Sequence, residues 1–276
     1  MRNENAAEWD YAELWDKFPV PARPCPEELA IQEKEITKMQ EGGRDLNLLI
    51  LGSTIEYRSL AKKLGIVPHV ADFSKENFDS LTAYSKEKFG EERFIQTDWL
   101  QISDKDKYDA VLGHRCFNCL RPKDVGRFFG RIYDSMKPGG VFFCRGNVLF
   151  PEDRDRLEEI RAKWAFNPER EHPLFSYLEV ELYFRCADEE GYIDYPKARR
   201  VMDGWFAEGK ISREDHELAR LLVSMPAGTL FRGKVTKEEI DSHIQDSSFR
   251  DVEWLFTSQE LSRNMPIIKL IKGDEK

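Results

Sequence analysis

A run of apolar residues that ends at a glycine and leads directly into a helical pattern is the feature that most constrains the fold. Residues 47–51 read Asn-Leu-Leu-Ile-Leu, Gly52 ends the run, and apolar residues then recur with helical spacing up to Gly65. An all-apolar strand that feeds a helix is typical of a parallel sheet covered on both faces. Ligands bind such sheets at the carboxyl ends of the strands, so we expect Gly52, Ser53 and Thr54 to contact a ligand. A plain strand-to-helix connection without a ligand is the alternative.

Four further segments continue the alternation of strand and helix. The predicted strands cover residues 66–71, 93–96, 108–113 and 141–144, and helical patterns separate them. Pro138 followed by Gly139 is typical of a type II turn, and this turn leads into the last of these strands. Such alternation predicts an open sheet that is parallel up to this point.

Acidic residues follow the second and third predicted strands. Asp72 lies 20 residues after Gly52, the interval at which an acid at the end of a second strand reaches the two hydroxyls of an adenosine ribose. Asp98 follows the next strand, where its carboxylate could accept a hydrogen bond from an adenine amino group while Trp99 offers an apolar face. Solvated strand-end acids and an ordinary core aromatic are the alternatives.

These segments resemble a class I S-adenosylmethionine-dependent methyltransferase. The motifs that carry the resemblance are LILGS at 49–53, VADFS at 70–74, TDW at 97–99, YDAVLG at 108–113 and MKPGG at 136–140. The resemblance implies an α/β fold with a Rossmann-like, seven-stranded, mostly parallel sheet, helices on both faces and a final antiparallel hairpin. Residues 251–256 and 266–271 are the candidates for the hairpin strands.

The resemblance also implies the cofactor, S-adenosylmethionine, and its product, S-adenosylhomocysteine. The positions that match the family's cofactor site are Gly52, Ser53, Thr54, Asp72, Phe73, Asp98, Trp99, Gly113 and His114. The first loop departs from the family pattern, because Gly52 is its single glycine and Ile50 stands where an acid is often found. The same loop argues against a dinucleotide, because Glu56 lies where phosphate charge would be.

Polar residues at the ends of the fourth and fifth strands are the candidates for the methyl acceptor. His114 is the candidate general base, and a purely structural, hydrogen-bonded histidine is the alternative. Arg115 and Arg145 could hold an acceptor carboxylate or phosphate, with Asn118 and Asn147 beside them. We therefore expect methyl transfer to an oxygen or nitrogen atom of a small, anionic molecule, and the base and the acceptor remain open.

The spacing of these motifs divides the chain into three parts. Residues 1–44 form an N-terminal cap with a proline cluster and a helix from Glu27 to Gln40, and residues 45–150 with 247–276 form the cofactor-binding core. Residues 151–246 form a mainly helical insertion that covers the acceptor. Helix patterns there include 151–165 and 196–208, and capping boxes begin at Ser212 and Thr236.

Composition and charge exclude several classes of function. The net charge of −9 argues against wrapping a nucleic-acid backbone, and the apolar runs are too short to span a membrane. Cys116 and Cys119 form a CxxC pair, but a zinc site would need two more ligands at a recognisable spacing, so no metal is expected. The five dispersed cysteines and the polar start of the chain are typical of a cytoplasmic protein. The aromatic N-terminal residues could serve a partner as well as the chain's own core, which leaves a homodimer open.

Two other functions fit the same sequence. A protein that binds S-adenosylmethionine or S-adenosylhomocysteine without turnover, as a sensor or partner subunit, would also have an unusual first loop and no decisive base. A nicotinamide-dependent oxidoreductase is the third reading, because it shares the strand and helix alternation.

The sequence yields one test of the proposed base. If His114 takes a proton from the acceptor, His114→Gln should lower turnover by about a hundredfold or more and leave cofactor affinity unchanged. Steady-state kinetics with calorimetric titration of the cofactor would check both parts. Turnover near that of the wild type would remove His114 from the chemistry.

Overall fold

A seven-stranded sheet forms the frame of the protein. The computed structural model describes residues 12, 15, 22–85, 89–150, 152–170, 173–222 and 231–273. Within them the strands are β1 (Leu48–Leu51), β2 (His69–Asp72), β3 (Arg93–Gln96), β4 (Tyr108–His114), β5 (Met136–Arg145), β6 (Asp251–Leu255) and β7 (Ile267–Ile271).

Helices connect the strands and build the insertion. The described helices are α1 (Pro26–Gln40), α2 (Ile55–Lys63), α3 (Lys75–Tyr84), α4 (Pro122–Ser135), α5 (Asp153–Trp164), α6 (Phe175–Cys186), α7 (Tyr195–Ala207), α8 (Arg213–Leu222) and α9 (Lys237–Asp246). Helices α2, α3 and α4 each follow a strand of the parallel half of the sheet. Helices α5 to α9 lie between β5 and β6, which agrees with the long, helical segment expected there.

The strand order is β3-β2-β1-β4-β5-β7-β6. Strands β1 to β5 run parallel, and β7 pairs antiparallel with both β5 and β6. The order reverses between β1 and β4, where Leu51 lies opposite Gly113. In open α/β sheets this switch point is where ligands bind. The fold class expected from the sequence is confirmed, including the antiparallel hairpin.

Two strand boundaries differ from those expected. Strand β2 begins at His69 rather than at residue 66, because Pro68 has no N–H group to give to a sheet ladder. Strand β5 begins at Met136 rather than at residue 141, because pairing with Tyr108 starts as soon as α4 ends. The expected turn lies within this early part, where Gly139 has a φ of 72°. That value suits the third residue of a type II turn.

The central strands are buried on both faces, as the apolar run of β1 predicts. One face carries an aromatic cluster in which Phe128, Phe129 and Phe249 pack around Phe142 of β5. The other face carries Leu48 and Ile50 of β1, with α1 and α2 packed against them. Every residue of β1 is buried. The sheet therefore needs helices on both sides, and polar groups collect at its ends.

The helices of the insertion share an apolar cluster, which Leu149, Leu261 and Met265 of the flanking segments complete. Buried residues from α5, α6, α7 and α8 form one apolar cluster, and it includes Phe175, Tyr177 and Tyr183, whose burial is in keeping with the aromatic core expected there. The two predicted helix starts are confirmed as N-caps. Thr236 Oγ1 accepts a hydrogen bond from Glu239 N at 3.2 Å, and Ser212 Oγ accepts one from Asp215 N at 3.1 Å.

Part of the expected N-terminal cap cannot be compared with the structure. Its aromatic and apolar residues Trp9, Tyr11, Leu14 and Phe18 lie outside the described residues. The described part is α1, which begins one residue before the expected Glu27 and ends at Gln40 as expected. No described helix is long and apolar enough to cross a membrane.

The aromatic cluster yields a prediction about stability. Phe142 is fully buried, so Phe142→Ala should lower the free energy of unfolding by about 3–5 kcal/mol through lost burial and a cavity. Phe256, which is 50% exposed, is the matched control, and Phe256→Ala should change stability by about 0.5 kcal/mol or less. Urea denaturation measures both variants, and equal losses would contradict the packing described for β5.

Candidate functional site

The turn after β1 is built around Gly52. Its φ of 83° lies in the left-handed region that favours glycine, and its N–H donates to Ala71 O at 2.8 Å. Ser53 and Thr54 follow it and are buried. The Ser53 hydroxyl donates to Asp72 Oδ2 at 2.6 Å, which joins the turn after β1 to the end of β2. The structure thus brings four of the predicted cofactor residues together.

Asp72 is the buried acid beside this turn. The residue is only 4% exposed, and its Oδ1 accepts a hydrogen bond from Ser74 N at 3.1 Å. Burial raises the pKa of this carboxyl group, and hydrogen bonds from the side chains of Ser53 and Asn77 and from the main chain of Ser74 and Phe73 oppose that rise. Each oxygen of an ionised carboxylate can accept two hydrogen bonds, so a ligand hydroxyl would replace one of these donors.

Phe73, Asp98 and Trp99 lie near the same strand ends but differ in exposure. Phe73 is 49% exposed, so its ring is free to contact a flat apolar ligand. Asp98 is also exposed, and its Oδ1 accepts a hydrogen bond from Leu100 N at 2.9 Å. Trp99 has a structural task, because its indole N–H donates to Ala71 O at 2.8 Å and its ring packs beneath the Gly52 turn. Trp99 therefore supports the turn from below.

Gly113, another predicted cofactor residue, lies at the end of β4. A Cβ atom at this position would lie 2.9 Å from Cys116 Sγ and 3.3 Å from the Phe142 ring. Close packing within the protein therefore explains this glycine without a ligand. Its place as a cofactor residue stays a prediction.

Of the CxxC pair, Cys116 comes immediately before a short 3₁₀ turn, Phe117–Cys119, and Cys119 is the last residue of that turn. Cys116 is buried. Cys119 is exposed, but desolvation of its thiol raises the pKa to about 11; Arg115 opposes this rise and Asp72 adds to it. Among the described residues, no group of three or more His, Cys, Asp or Glu side chains could hold a metal ion.

His114 has both ring nitrogens engaged. Nε2 lies 2.8 Å from Ala22 O, and Nδ1 lies 3.5 Å from the Arg145 guanidinium. A carbonyl only accepts and a guanidinium only donates, so Nε2 carries the proton and the lone pair of Nδ1 faces Arg145. Burial and the two positive charges of Arg145 and Arg115 hold the pKa of His114 well below its ordinary value. In this arrangement the ring is neutral and its base nitrogen is covered.

Arg115 leaves β4 in a strained conformation and pairs with the insertion. Its φ of 55° is uncommon for a residue with a side chain. Both terminal nitrogens of its guanidinium donate to the Glu179 carboxylate of α6, each at 2.9 Å, and Tyr183 donates to the same carboxylate at 2.5 Å. Such a bidentate geometry is the strongest form of this pair. Arg115 thus links the sheet to the insertion.

Arg145 pairs with the N-terminal helix in a similar way. Its Nε lies 2.9 Å from Glu28 Oε2, and both residues are buried. Glu28 also accepts a hydrogen bond from the Tyr57 hydroxyl at 2.9 Å. Burial raises the pKa of Glu28, while Arg145 and Tyr57 lower it. Both arginines that the sequence predicted as anion ligands therefore already pair with carboxylates of the chain.

The two predicted asparagines have different surroundings. Asn118 is fully buried and makes three hydrogen bonds, to Asn147 O, to Arg232 O and from Asn147 N, so its side chain braces the ends of β4 and β5. Asn147 is equally buried, but neither polar atom of its carboxamide has a hydrogen-bond partner. The side chain of Asn118 is thus fully hydrogen-bonded within the protein, whereas the amide nitrogen and oxygen of Asn147 have no partner.

Sequence reasoning missed Glu28, Tyr57 and Glu179. Glu28 and Gln32 occupy the buried stripe of α1 at helical spacing with Ile36, a pattern that normally holds apolar residues. Glu179 is an acid in a helix that is buried almost all around. For the two glutamates the signal was an acid at an apolar position, which the sequence pattern shows only after the helix faces are known.

Comparisons with known proteins show the fold and nothing finer. No family model matches the sequence, and no curated protein gives a significant match. A Rhodobacter sphaeroides structure, described as a proposed zinc-dependent alcohol dehydrogenase, is similar with a TM-score of 0.60 and 14% identity. That similarity covers 98% of this chain and 99% of the other.

Two methyltransferase structures are also similar. The CMeT domain of the citrinin polyketide synthase has a TM-score of 0.53 and 10% identity, over 90% of this chain and 52% of that one. The CurJ carbon methyltransferase has a TM-score of 0.52 and 12% identity, over 91% and 56%. This chain thus spans about half the length of these two structures. The class I methyltransferase fold that the sequence resemblance implied is confirmed.

The environment of His114 yields a prediction about pH. Because its pKa in the folded protein lies below the unfolded value of about 6.5, the unfolded state binds more protons as pH falls through that value. Stability should therefore decrease below about pH 6.5, by up to about 1.4 kcal/mol per pH unit from this group. His114→Gln should remove that share. Denaturation at several pH values measures both slopes, and identical slopes would show that His114 titrates normally.

Proposed function

We propose that this chain is an S-adenosylmethionine-dependent methyltransferase that transfers a methyl group to an oxygen or nitrogen atom of a small molecule. The observation that carries the proposal is the buried carboxylate of Asp72 at the end of β2. Ser53, in the turn after β1, holds it at the carboxyl end of β2, one strand away from the switch point between β1 and β4. An acid in this place has the reach and the acceptor groups for a ribose.

The residues around Asp72 fit the rest of the cofactor. The exposed ring of Phe73 offers an apolar surface to adenine, and the exposed carboxylate of Asp98 offers an acceptor for its amino group. When bound, S-adenosylmethionine supplies an electrophilic methyl group on its sulfonium. Gly52, Ser53 and Thr54 would hold the amino acid end of the cofactor beside α2.

The charge in the first turn of α2 favours this cofactor over a dinucleotide. Glu56 is half-buried there, and burial raises its pKa while Arg23, 3.5 Å away, lowers it. An acid at this helix start would repel a pyrophosphate. S-adenosylmethionine has no phosphate, so Glu56 does not repel it in this way.

Methyl transfer is a displacement at carbon, so the chain's main task is to hold the acceptor in line with the methyl group. We propose that residues 151–246 cover the acceptor and residues 1–44 cap the crevice, with 45–150 and 247–276 as the cofactor-binding core. The Arg115–Glu179 pair supports this division, because it ties α6 to the end of β4. The anionic acceptor predicted from Arg115 and Arg145 is left out of the proposal, since each arginine already pairs with a carboxylate.

A second candidate is a protein that binds the cofactor or its product without turnover. The arrangement of His114 favours it, because Nε2 donates to Ala22 and Nδ1 faces Arg145, so the ring has no lone pair free to accept a proton. Methyl transfer to any component of a metabolite extract would exclude this candidate.

The test is calorimetric titration with S-adenosylmethionine and S-adenosylhomocysteine. We expect micromolar binding by the wild type and a loss of about a hundredfold or more in Asp72→Ala, since the ribose hydroxyls lose their shared acceptor. Asp79→Ala is the matched control, because Asp79 is an exposed acid on α3 that pairs with Lys75. Its affinity should equal that of the wild type.

Absence of binding to the wild type would overturn the proposed function even though the fold is established. Equal binding by Asp72→Ala would remove the ribose contact. A parallel fluorescence titration with NADH examines the oxidoreductase reading. Tight NADH binding without S-adenosylmethionine binding would favour that reading instead.

A further inference from the structure

The side chain of Asn147 is a buried carboxamide without a hydrogen-bond partner. It is fully buried at the end of β5, and both the amide nitrogen and the amide oxygen lack hydrogen-bond partners. Among the described residues, no other side chain has two buried polar atoms in this state. Buried polar groups in folded proteins are nearly always hydrogen-bonded, so this group calls for a partner that comes from outside the chain.

Two neighbouring buried asparagines show the ordinary pattern. The Asn118 side chain donates to the main-chain oxygens of Asn147 and Arg232 and accepts from the main-chain N–H of Asn147. Asn264 donates to Val148 O and to the Asp153 carboxylate, and its oxygen accepts from Arg156. Structural amides near Asn147 are therefore fully used. The carboxamide of Asn147, by contrast, has a hydrogen-bond partner at neither its nitrogen nor its oxygen.

Its position is next to the expected methyl acceptor. The main chain of Asn147 is bonded to Asn118, four residues beyond His114, and Arg145 lies two residues before it. Arg145 in turn reaches the His114 ring. The main chain of Asn147 is thus bonded to the segment after β4, where Arg115 pairs with Glu179 of the insertion.

The charges at these strand ends balance. Arg115 is neutralised by Glu179 and Arg145 by Glu28, in pairs of 2.9 Å. All four side chains are almost fully buried, the most exposed being Arg115 at 13%. An anionic ligand would need to displace a buried carboxylate from its arginine, and that leaves a buried charge without a partner. An uncharged ligand leaves both pairs intact.

We propose that the Asn147 carboxamide binds the methyl acceptor through paired hydrogen bonds, and that the acceptor is an uncharged molecule with an amide-like edge. Such an edge carries a donor and an acceptor side by side, as in an amide, a lactam or an aminopyridine ring. A carboxamide presents the complementary pair, an N–H donor and a carbonyl acceptor. The inference rests on the proposed function and names its substrate class.

The experiment uses three probes of one shape and different charge: benzamide, benzoate and benzamidine. Each is titrated into the full chain in the presence of saturating S-adenosylhomocysteine, and binding is followed by ligand-observed NMR. We expect benzamide to bind at least about tenfold more tightly than benzoate or benzamidine, because it alone is neutral and carries both hydrogen-bonding groups. Asn147→Leu should weaken benzamide binding by about tenfold or more.

Two controls separate a lost contact from a lost fold. Asn147→Leu should keep the melting temperature of the wild type or raise it, because the replaced amide has no partner. Asn264→Leu removes a fully bonded amide of the same size and should lower the melting temperature. Asn147→Ser, a smaller change, repeats the binding test should the leucine variant fail to fold.

The outcomes are distinct. Benzoate binding as tightly as benzamide would overturn the uncharged substrate class, and unchanged benzamide binding by both Asn147 variants would overturn the role of Asn147. Absence of binding by all three probes would overturn the proposal as a whole. Failure of S-adenosylhomocysteine to bind the wild type would instead count against the proposed function, and calorimetry without a probe shows this separately.

Discussion

Burial of the Arg145 guanidinium is the constraint on which the site depends. Burying a guanidinium with only 3% of its surface exposed carries a large free-energy cost unless a carboxylate lies beside it. Glu28 supplies that carboxylate, so α1 has to dock across the strand ends, and the chain before it reaches His114 through Ala22. Removing one member of such a buried pair typically costs about 3–5 kcal/mol. One ion pair thus positions the N-terminal helix and orders the crevice beneath it.

Arg115 and Glu179 form a second buried ion pair, between the end of β4 and the insertion. The left-handed backbone at Arg115 turns its side chain away from the sheet toward α6, and Glu179 receives it in a bidentate pair. Two arginines on neighbouring strands therefore fasten two separate parts of the chain over one end of the sheet. Between them His114 is kept neutral, since its ring faces positive charge from both. Chemistry at this place would have to work with hydrogen bonds rather than with free charge.

The sequence was most informative where the signal was local. The all-apolar β1, the glycine that follows it and the acid 20 residues later were readable because each depends on near neighbours. The arginines were found for the same reason, since they follow apolar strands. Their partners were not found, because Glu28 lies more than about a hundred positions from Arg145, and Glu179 lies 64 positions from Arg115. Long-range pairing depends on how helices dock, and the hydrophobic periodicity of a sequence does not indicate how they dock.

The place of β7 in the sheet has a consequence for how the chain is assembled. Strand β7 lies between β5 and β6, and its partner β5 is made about 120 residues earlier. Until then the β5 edge has unpaired peptide groups and the apolar side chains of Phe142 and Phe143. An edge of that kind is a template for wrong pairing. The insertion emerges during this interval, and its apolar cluster is completed by Leu261 and Met265, which come just before β7, so the last strand and the last part of that cluster become available together.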